Sequence, residues 1–535
     1  MKINQLKSGV VLSYAQMILS NLISIIFTPI VIRILGQDEF GVISVAGAVT
    51  GYLSLLNLGL SGSYNYFYHK RKKESNEDGI AKLNGMYITV FSVIALIVFI
   101  VGMIIVFNAR SVLGNELTEN EIDIAKKLMF ISVLSMAITL PTSVFGSYIF
   151  VHERFLFSRV VSIIFTILNN LIKLSLLFMG YRSVAITIGA FVLTIINVLV
   201  TVTYSVKVLK FKFNFSGFQL NVLKSMFAFS FFIFLNQIVD QINWSIDKHI
   251  ITRFYGAASV AVYSIGASLN SYYITISSTI SNVFSPRINK MVSTKTDDKS
   301  LTDLMIKVGR IQFLVLSLIL SGLIFLGEFF IVGYYAGPGY EEAYKVALIL
   351  CIPVTIPLIQ NVGIEIQRAK NKHRFRSIIY VIMAFLNLGI SIPLCKHFGI
   401  IGCAIGTSTG IILANVIIMN IYYHKKLGLD MIRFWKSILS ILPSEILPVL
   451  FGIFILKVVK VDTLPEFLIF GVLYVLVFSA SVWFISMNES EKSMIKDPAT
   501  RIIKRLFRKD VKNLCFLILI ALAAVLAPML ALKIA

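Results

Sequence analysis

Residues 230–248 read Ser-Phe-Phe-Ile-Phe-Leu-Asn-Gln-Ile-Val-Asp-Gln-Ile-Asn-Trp-Ser-Ile-Asp-Lys. The stretch begins as an apolar segment and ends with amide and charged side chains. Four of its polar residues recur at helical spacing, which places them on one face of an α-helix: Asn236, Asp240, Asn243 and Asp247. A charged carboxylate in hydrocarbon costs at least about 2.5 kcal/mol, so this face must turn away from lipid. It is either a polar stripe that joins helices or the lining of a cavity.

The composition of the whole chain indicates a membrane protein. Of its 535 residues, 57% are hydrophobic and only 14% are charged, and the mean hydropathy is +0.85. Apolar segments of about 20 residues, the length that crosses the hydrocarbon core, recur about fourteen times. We therefore predict an all-α, polytopic membrane protein with about 14 transmembrane helices. The first apolar run, residues 9–34, is long enough to stay in the bilayer, so we expect no cleaved signal peptide.

Basic residues flank alternate connections between the predicted helices. Clusters of lysine and arginine occur at residues 70–73, 207–212, 287–310, 368–376 and 492–512. The positive-inside rule places these connections in the cytoplasm, and with them the N-terminus. This placement accounts for most of the formal net charge of +22, which in a soluble protein would suggest nucleic acid. We expect no nucleic-acid partner.

A shift of about 220 residues brings two parts of the chain into register. Residues 33–36, Arg-Ile-Leu-Gly, fall on residues 253–256, Arg-Phe-Tyr-Gly, and Gly180 falls on Gly399. We interpret the match as a duplicated unit of six helices. Because six is even, both copies start on the same side of the membrane and form parallel repeats.

The repeat predicts the domain organisation. An N-terminal six-helix lobe covers residues 1–218 and a C-terminal six-helix lobe covers residues 219–438. Helices 13 and 14 follow in residues 439–486, and residues 487–535 hold a basic amphipathic segment and an apolar C-terminal run. That run, residues 514–532, is either a fifteenth helix or a re-entrant or surface-docked segment.

The sequence carries no recognisable enzyme signature. The four cysteines have neither metal-ligand nor disulfide spacing: Cys351, Cys395, Cys403 and Cys515. There is no Walker loop, and no nucleophile lies beside a base. The acidic residues of the longest outer connection, residues 108–123, are interpreted as a solvated surface. We therefore predict no catalytic residue, no metal site and no enzymatic activity.

Two short motifs carry a resemblance to a known family. Residues 33–41 read Arg-Ile-Leu-Gly-Gln-Asp-Glu-Phe-Gly, and the second predicted helix ends in Leu-Asn-Leu-Gly-Leu at residues 56–60. This opening resembles the polysaccharide flippases of the Wzx type, which transport O-antigen, capsule and exopolysaccharide precursors. Their superfamily, MOP, also holds the MATE exporters and the lipid II flippase MurJ. The resemblance covers residues 1–486.

The resemblance implies a fold and a function. The family has a V-shaped cavity between two lobes, which opens to one side of the membrane at a time. Its members lie in the bacterial cytoplasmic (inner) membrane and move an undecaprenyl-pyrophosphate-linked oligosaccharide from the inner to the outer leaflet. The implied partners are this lipid-linked substrate, the lipid bilayer and the polysaccharide polymerase machinery.

Candidate site residues follow from the repeat and from the chemistry of a pyrophosphate headgroup, which needs cations. Residues 16–21 correspond to residues 236–241, so the first helix of each repeat presents a polar face. The substrate-cavity candidates are Gln16, Ser20, Asn21, Lys173, Asn236, Asp240 and Gln241. The outer-rim candidates are Arg33, Asp247, Lys248 and Arg253.

Each candidate charge also has a structural alternative. Lys173 is the one basic residue well inside a predicted span, and it either binds substrate or is a snorkelling or paired lysine near the outer boundary. Arg33 and Arg253 either face the substrate or, as residues at helix ends, bind lipid phosphate or cap backbone carbonyls. Asp240 either neutralises one of these cations or binds a coupling proton or Na⁺. No other cofactor is expected.

These observations together predict a flippase that works by alternating access in polysaccharide biosynthesis. Two alternatives share the fold. One is a MATE-like, ion-coupled drug exporter, which would need acidic and aromatic side chains without basic partners. The other is a lipid II flippase of peptidoglycan synthesis.

Overall fold

A computed structural model describes residues 5–57, 60–73, 77–216, 220–294, 296–372 and 374–493. Within these ranges every regular element is a helix, which confirms the all-α class. Twelve helices of the described residues are long and apolar enough to cross a membrane. Helices suit a bilayer because they satisfy their own backbone N–H and C=O groups, for which the hydrocarbon core offers no partner. The multi-pass class is confirmed, and the number of about fourteen stays a prediction. The apolar run at residues 514–532 lies outside the described residues.

The described residues divide into two units. Unit 1 holds residues 5–27, 31–264 and 380–407, and unit 2 holds residues 28–30, 265–379 and 408–493. The predicted lobes 1–218 and 219–438 follow sequence repetition instead of contacts, and they stay a prediction.

Unit 1 is built mainly from the first half of the chain. Its helices are α1 (Gln5–Leu35), α2 (Gln37–Leu53), α3 (Leu60–Lys73), α4 (Glu77–Phe107), α5 (Ala109–Leu113), α6 (Glu119–Val151), α7 (Phe155–Phe178), α8 (Ser183–Thr203) and the first part of α9 (Leu220–Asn282). A buried aromatic and aliphatic cluster joins α3, α4 and α6, with Tyr64, Tyr87 and Tyr148 among its members. Gly102 of α4 lets α6 approach closely, because a Cβ there would lie 2.5 Å from Val133.

Unit 2 begins within α9 and continues to the end of the described chain. Its helices are the rest of α9, then α10 (Ser285–Ser293), α11 (Asp298–Glu328), α12 (Glu341–Ile359), α13 (Asn361–Ala369), α14 (Arg374–Ile411), α15 (Met419–Leu427), α16 (Met431–Leu439), α17 (Ile446–Phe454) and α18 (Leu464–Ile485). Residues 380–407 of α14 belong to unit 1. Short π-helical segments follow α8, α11, α14 and α17. They cover Tyr204–Val208, Phe329–Tyr335, Ile412–Ile418 and Ile455–Val459, respectively.

Two glycines matched by the predicted repeat have the same backbone conformation. Gly36 separates α1 from α2 at φ 82° and ψ 172°. Gly256 interrupts α9 at φ 75° and ψ −172°. A residue with a Cβ rarely adopts this region, so glycine is required where each long apolar stretch turns. The turn also explains why α9 can be far longer than one membrane crossing.

Substitution of Gly256 by alanine is expected to lower the free energy of unfolding by about 1–3 kcal/mol, the strain of this backbone region. Thermal unfolding of the purified protein in detergent measures the effect. The matched control is Gly47→Ala, in the helical interior of α2, where a Cβ would meet no atom within 4 Å. The control should be neutral or slightly stabilising. Equal effects of the two substitutions would contradict the strain argument.

Glu39, the acidic residue of the opening motif, is a structural carboxylate. It is buried in α2, and its Oε2 accepts a hydrogen bond of 2.5 Å from Arg182 Nε. Its Oε1 accepts a bond of 2.8 Å from the backbone N–H of Ser183, the first residue of α8. A carboxylate at a helix N-terminus satisfies an unpaired N–H and interacts favourably with the helix dipole. Glu39 therefore fastens α2 to the start of α8.

A buried ion pair fastens the end of the described chain to unit 2. Arg310 of α11 and Glu491, after α18, are 7% and 4% exposed. Arg310 Nε and Nη2 donate to the two carboxylate oxygens of Glu491 at 2.6 and 3.0 Å. The remaining guanidinium bonds go to the carbonyls of Ser437 and Ser486 and to the Ser440 hydroxyl. One side chain thus joins α11, α16 and the segment after α18.

Candidate functional site

A cluster of buried polar side chains surrounds Asp247 inside unit 1. Asp247 is 2% exposed, in the first part of α9. Its Oδ2 accepts hydrogen bonds from the hydroxyl of Tyr263, beyond the Gly256 turn, and from Thr407 Oγ1 of α14 at 2.7 Å. Asn387 Nδ2 donates to Thr407 Oγ1 at 3.2 Å, and Ser391 Oγ donates to Asn387 Oδ1 at 2.7 Å. The donors form a directed chain that ends on one carboxylate.

The second oxygen of the Asp247 carboxylate differs from the first in its hydrogen bonding. Asp247 Oδ1 is buried and accepts no hydrogen bond from the described residues. A buried acceptor without a partner costs about 1–3 kcal/mol, and more when it is charged. A proton or a small hard cation would satisfy it, and the surrounding hydroxyl and amide oxygens are ligands that such cations prefer. The cluster thus has the chemistry of a cation site within a membrane helix bundle.

The structure gives Asp247 an unexpected environment. We predicted it at the outer rim with Lys248, on the basis of its position near the end of a span. Its side chain is instead buried among hydroxyl and amide groups, while Lys248 is half-buried. The reason is the turn at Gly256, which brings Tyr263 back beside Asp247. A rim role for these two residues stays a prediction.

The remaining predicted cations differ in exposure. Lys173 lies half-buried in α7, and Arg33 and Arg253 are exposed at the ends of their helical segments. Arg253 packs against Gly114, where a Cβ would lie 3.3 Å from its Cα. All the candidate residues lie in unit 1, but their role in substrate binding stays a prediction.

The polar faces of the first helix in each predicted repeat have separate partners. Gln16, Ser20 and Asn21 are half-buried in α1, and Gln16 Oε1 accepts a hydrogen bond of 3.3 Å from Arg159. Gln241 packs against α2, where a Cβ at Gly51 would lie 2.7 Å from its Nε2. Asn236 and Asp240 lie within α9, and their side chains are outside the described part of the structure.

Three members of the Asp247 cluster were missed by sequence reasoning: Asn387, Ser391 and Thr407. A signal was present, since Asn387 and Ser391 are four residues apart in an otherwise apolar span and therefore share a helix face. That signal alone does not reveal the partner. Thr407 and Asp247 are 160 residues apart, and only the fold brings them together.

Comparison with known proteins places the chain in a family. The family model described as "Polysaccharide biosynthesis protein" matches residues 6–292, more than half of the chain. This chain belongs to the polysaccharide biosynthesis protein family. The family resemblance inferred from residues 33–41 and 56–60 is thereby confirmed. A relative from Shigella flexneri, named "Putative O-antigen transporter", is 21% identical over 405 residues, which are 73% of this chain and 91% of the relative.

Solved structures show which fold this polysaccharide biosynthesis protein has. The lipid II flippase MurJ, in an inward closed conformation, has a TM-score of 0.67 at 17% identity, covering 88% of this chain and 98% of MurJ. An inward-facing multidrug MATE transporter of the MOP superfamily has a TM-score of 0.63 at 10% identity, covering 75% and 92%. The chain therefore shares its fold with these two multi-pass membrane proteins.

Proposed function

We propose that this protein is a flippase that moves an undecaprenyl-pyrophosphate-linked oligosaccharide from the inner to the outer leaflet of the bacterial cytoplasmic membrane. It works by alternating access, with its N-terminus in the cytoplasm, and it serves cell-surface polysaccharide synthesis. It performs no enzymatic chemistry. The observation that carries the proposal is the combination of a polysaccharide biosynthesis family match with the fold of a lipid-headgroup flippase.

Lys173 is the residue we propose to bind the pyrophosphate. It is a half-buried cation in a transmembrane helix, where a strongly hydrated ammonium is costly unless an anion compensates it. Gln16, Ser20, Asn21, Asn236, Asp240 and Gln241 supply hydrogen-bonding groups for the headgroup. Contact with the polysaccharide polymerase machinery is part of the same proposal.

The Asp247 cluster is where we propose that a coupling cation binds, either a proton or Na⁺. The supporting feature is the buried Oδ1, which accepts no hydrogen bond from the described residues. Tyr263 and Thr407 hold the other oxygen and thereby orient the carboxylate. A bound cation removes the free-energy cost of a buried negative charge. Binding therefore shifts the conformational equilibrium of the helices that contribute to the cluster.

Flipping in reconstituted vesicles tests the function. Undecaprenyl-pyrophosphate oligosaccharide with a fluorescent sugar is placed in both leaflets, and a membrane-impermeant quencher reports the outer leaflet. Wild-type protein is expected to make the whole pool accessible. Lys173→Ala should slow flipping by about 10- to 100-fold, the loss of one or two charge-assisted hydrogen bonds. The exposed Lys345→Ala serves as the matched control and should flip normally.

The same assay, with other substrates, also tests the two alternative functions, drug export and lipid II flipping. The likeness to a multidrug MATE transporter supports a drug exporter as the second candidate. Efflux of a cationic dye without flipping of the oligosaccharide lipid would favour that candidate. Flipping of lipid II in preference to the oligosaccharide lipid would favour peptidoglycan synthesis. Unchanged flipping by Lys173→Ala would remove Lys173 from the proposed site.

A further inference from the structure

A cavity of about 510 Å³ opens at one end of unit 1, away from the residues assigned to transport. It lies where α3 and α6 end and α4 begins. Its walls include three lysines, two tyrosines and a histidine: Lys72, Lys210, Lys212, Tyr68, Tyr148 and His152. Among the described residues that line it, Glu77 is the one carboxylate, so this described lining carries an excess of positive charge.

One wall is an extended strap, residues 209–216, that follows α8 and its π-helical turn. Phe211 anchors the strap, because it is buried with its ring 4.6 Å from Phe145 and 4.8 Å from Tyr148. Asn84 of α4 donates to the carbonyl of Lys212 at 2.7 Å, and Asn214 N–H donates to the carbonyl of Ala81 at 2.9 Å. The strap is thus held on α4 by hydrogen bonds and by an aromatic anchor.

Two backbone features show that the surrounding structure holds the strap in a defined conformation. Gly85 of α4 leaves room for the strap, since a Cβ there would lie 2.2 Å from Asn214 O. Lys210 adopts φ 55°, a left-handed conformation that is uncommon for a residue with a Cβ. Strained residues of this kind persist where the surrounding structure holds them, and they concentrate at ligand sites.

The positive charge of the cavity resides on its lysines. His152 Nδ1 lies 2.8 Å from the carbonyl of Tyr148, so it donates, and Nε2 then accepts from the Tyr68 hydroxyl at 3.2 Å. Burial lowers the pKa of His152, and the nearby charges of Lys72 and Arg154 lower it further. The lowered pKa favours the neutral imidazole. It positions Tyr68, and Lys72 lies 5.9 Å from the centre of that tyrosine ring.

The strap also presents apolar side chains outward. Phe213 and Phe215 alternate with Lys212 and Asn214, and they are 52% and 60% exposed. Their rings lie 5.2 Å apart. Exposed aromatic residues beside lysines at the end of a helix bundle are typical of the boundary between lipid headgroups and acyl chains. A soluble anion would need the lysines but would gain nothing from the two exposed rings.

We propose that this cavity binds a phosphate-bearing headgroup, with an anionic phospholipid of the adjacent leaflet as its source. The phosphate is bound by Lys72, Lys210 and Lys212. The Tyr68 hydroxyl lies at the cavity wall. The acyl chains contact Phe213 and Phe215. Lysine clusters at the ends of transmembrane helices bind anionic lipids through such contacts. The site is separate from the proposed transport function, because it needs neither Lys173 nor the Asp247 cluster.

Lipid binding to the purified full chain in detergent tests the proposal. Phosphatidylglycerol, phosphatidylcholine and inorganic phosphate are each titrated, and bound lipid is counted by native mass spectrometry alongside the shift in thermal unfolding. The cavity variant is Lys72→Gln, Lys210→Gln and Lys212→Gln combined. The matched control removes three exposed lysines that do not line the cavity, by Lys70→Gln, Lys73→Gln and Lys207→Gln. Lys212→Gln alone replaces the triple variant if the latter fails to fold.

Wild-type protein should prefer phosphatidylglycerol to phosphatidylcholine. The cavity variant should bind phosphatidylglycerol about 10- to 100-fold more weakly, while the control with the same net charge keeps nearly all of its affinity. Saturation by inorganic phosphate with the same dependence on the three lysines would support the phosphate site and overturn the lipid as its source. Equal weakening by the cavity and control variants would overturn the proposal, whatever the flipping assay shows.

Discussion

Substitution of Arg310 by methionine is expected to lower the free energy of unfolding by about 3–5 kcal/mol, the usual cost of removing one partner of a buried ion pair. Glu491 would be left as a buried charge without compensation, since Arg310 supplies both of its guanidinium bonds. Three carbonyl or hydroxyl acceptors on α16 and after α18 would lose their donor as well. Thermal unfolding in detergent should show a large decrease in the midpoint.

Two further variants distinguish the cost of an unpaired buried charge from a non-specific loss of stability. Arg310→Met combined with Glu491→Leu removes both charges and should recover most of the lost stability, because an apolar pair replaces a buried ion pair at little cost. Lys492→Met breaks an ion pair with Glu489, whose side chain is 86% exposed. This control should change stability by no more than about 1 kcal/mol. A double variant as unstable as Arg310→Met would contradict the proposed role of the ion pair.

Substitution of Asp247 by asparagine is expected to remove the dependence of flipping on an ion gradient. An amide keeps the shape of the carboxylate and still accepts from Tyr263 and Thr407, but it does not take up a proton or bind Na⁺ as a charged ligand. Coupling between two ligands is typically worth about 1–3 kcal/mol, or about 5- to 150-fold. Flipping driven by a pH or Na⁺ gradient should decrease by a factor in that range.

The assay compares vesicles with a pH gradient, a Na⁺ gradient or neither. Thr407→Val leaves the carboxylate but removes one donor, so it should lower stability by about 1.5–3 kcal/mol and keep the gradient dependence. Asp462→Asn, at an exposed position, should behave as wild type. Full gradient dependence in the Asp247→Asn variant would exclude Asp247 as the coupling site and leave Asp240 as the candidate.

Hydropathy predicted the class of fold correctly because the bilayer imposes strict rules. An apolar run of about 20 residues crosses the bilayer as a helix, so a run such as residues 82–107 predicts a span directly. Glycines 36 and 256 could also be recognised as equivalent from the residues before them, and both have the same backbone conformation. Which span packs against which could not be predicted, because apolar faces are chemically alike in lipid.

The polar contacts of the candidate site could not be predicted from the sequence either. The helical spacing of the polar residues singled out Asp247, but it did not reveal the partners of its side chain. Its bond to Thr407 joins residues 160 apart. Glu39 was similarly visible as part of a motif, and yet its partners Arg182 and Ser183 lie 143 and 144 residues away.

By itself the sequence determined that this protein is helical and crosses the membrane many times, and it contained the motif that marks its family. These properties follow from local composition, since backbone hydrogen bonding within each helix and the transfer of apolar side chains to lipid need no distant partner. Only the tertiary structure decided which polar groups meet: Asp247 with Tyr263 and Thr407, Arg310 with Glu491, and the strap of residues 209–216 with α4. In a low-dielectric interior each such group must find a partner, and that partner is set by how the helices pack.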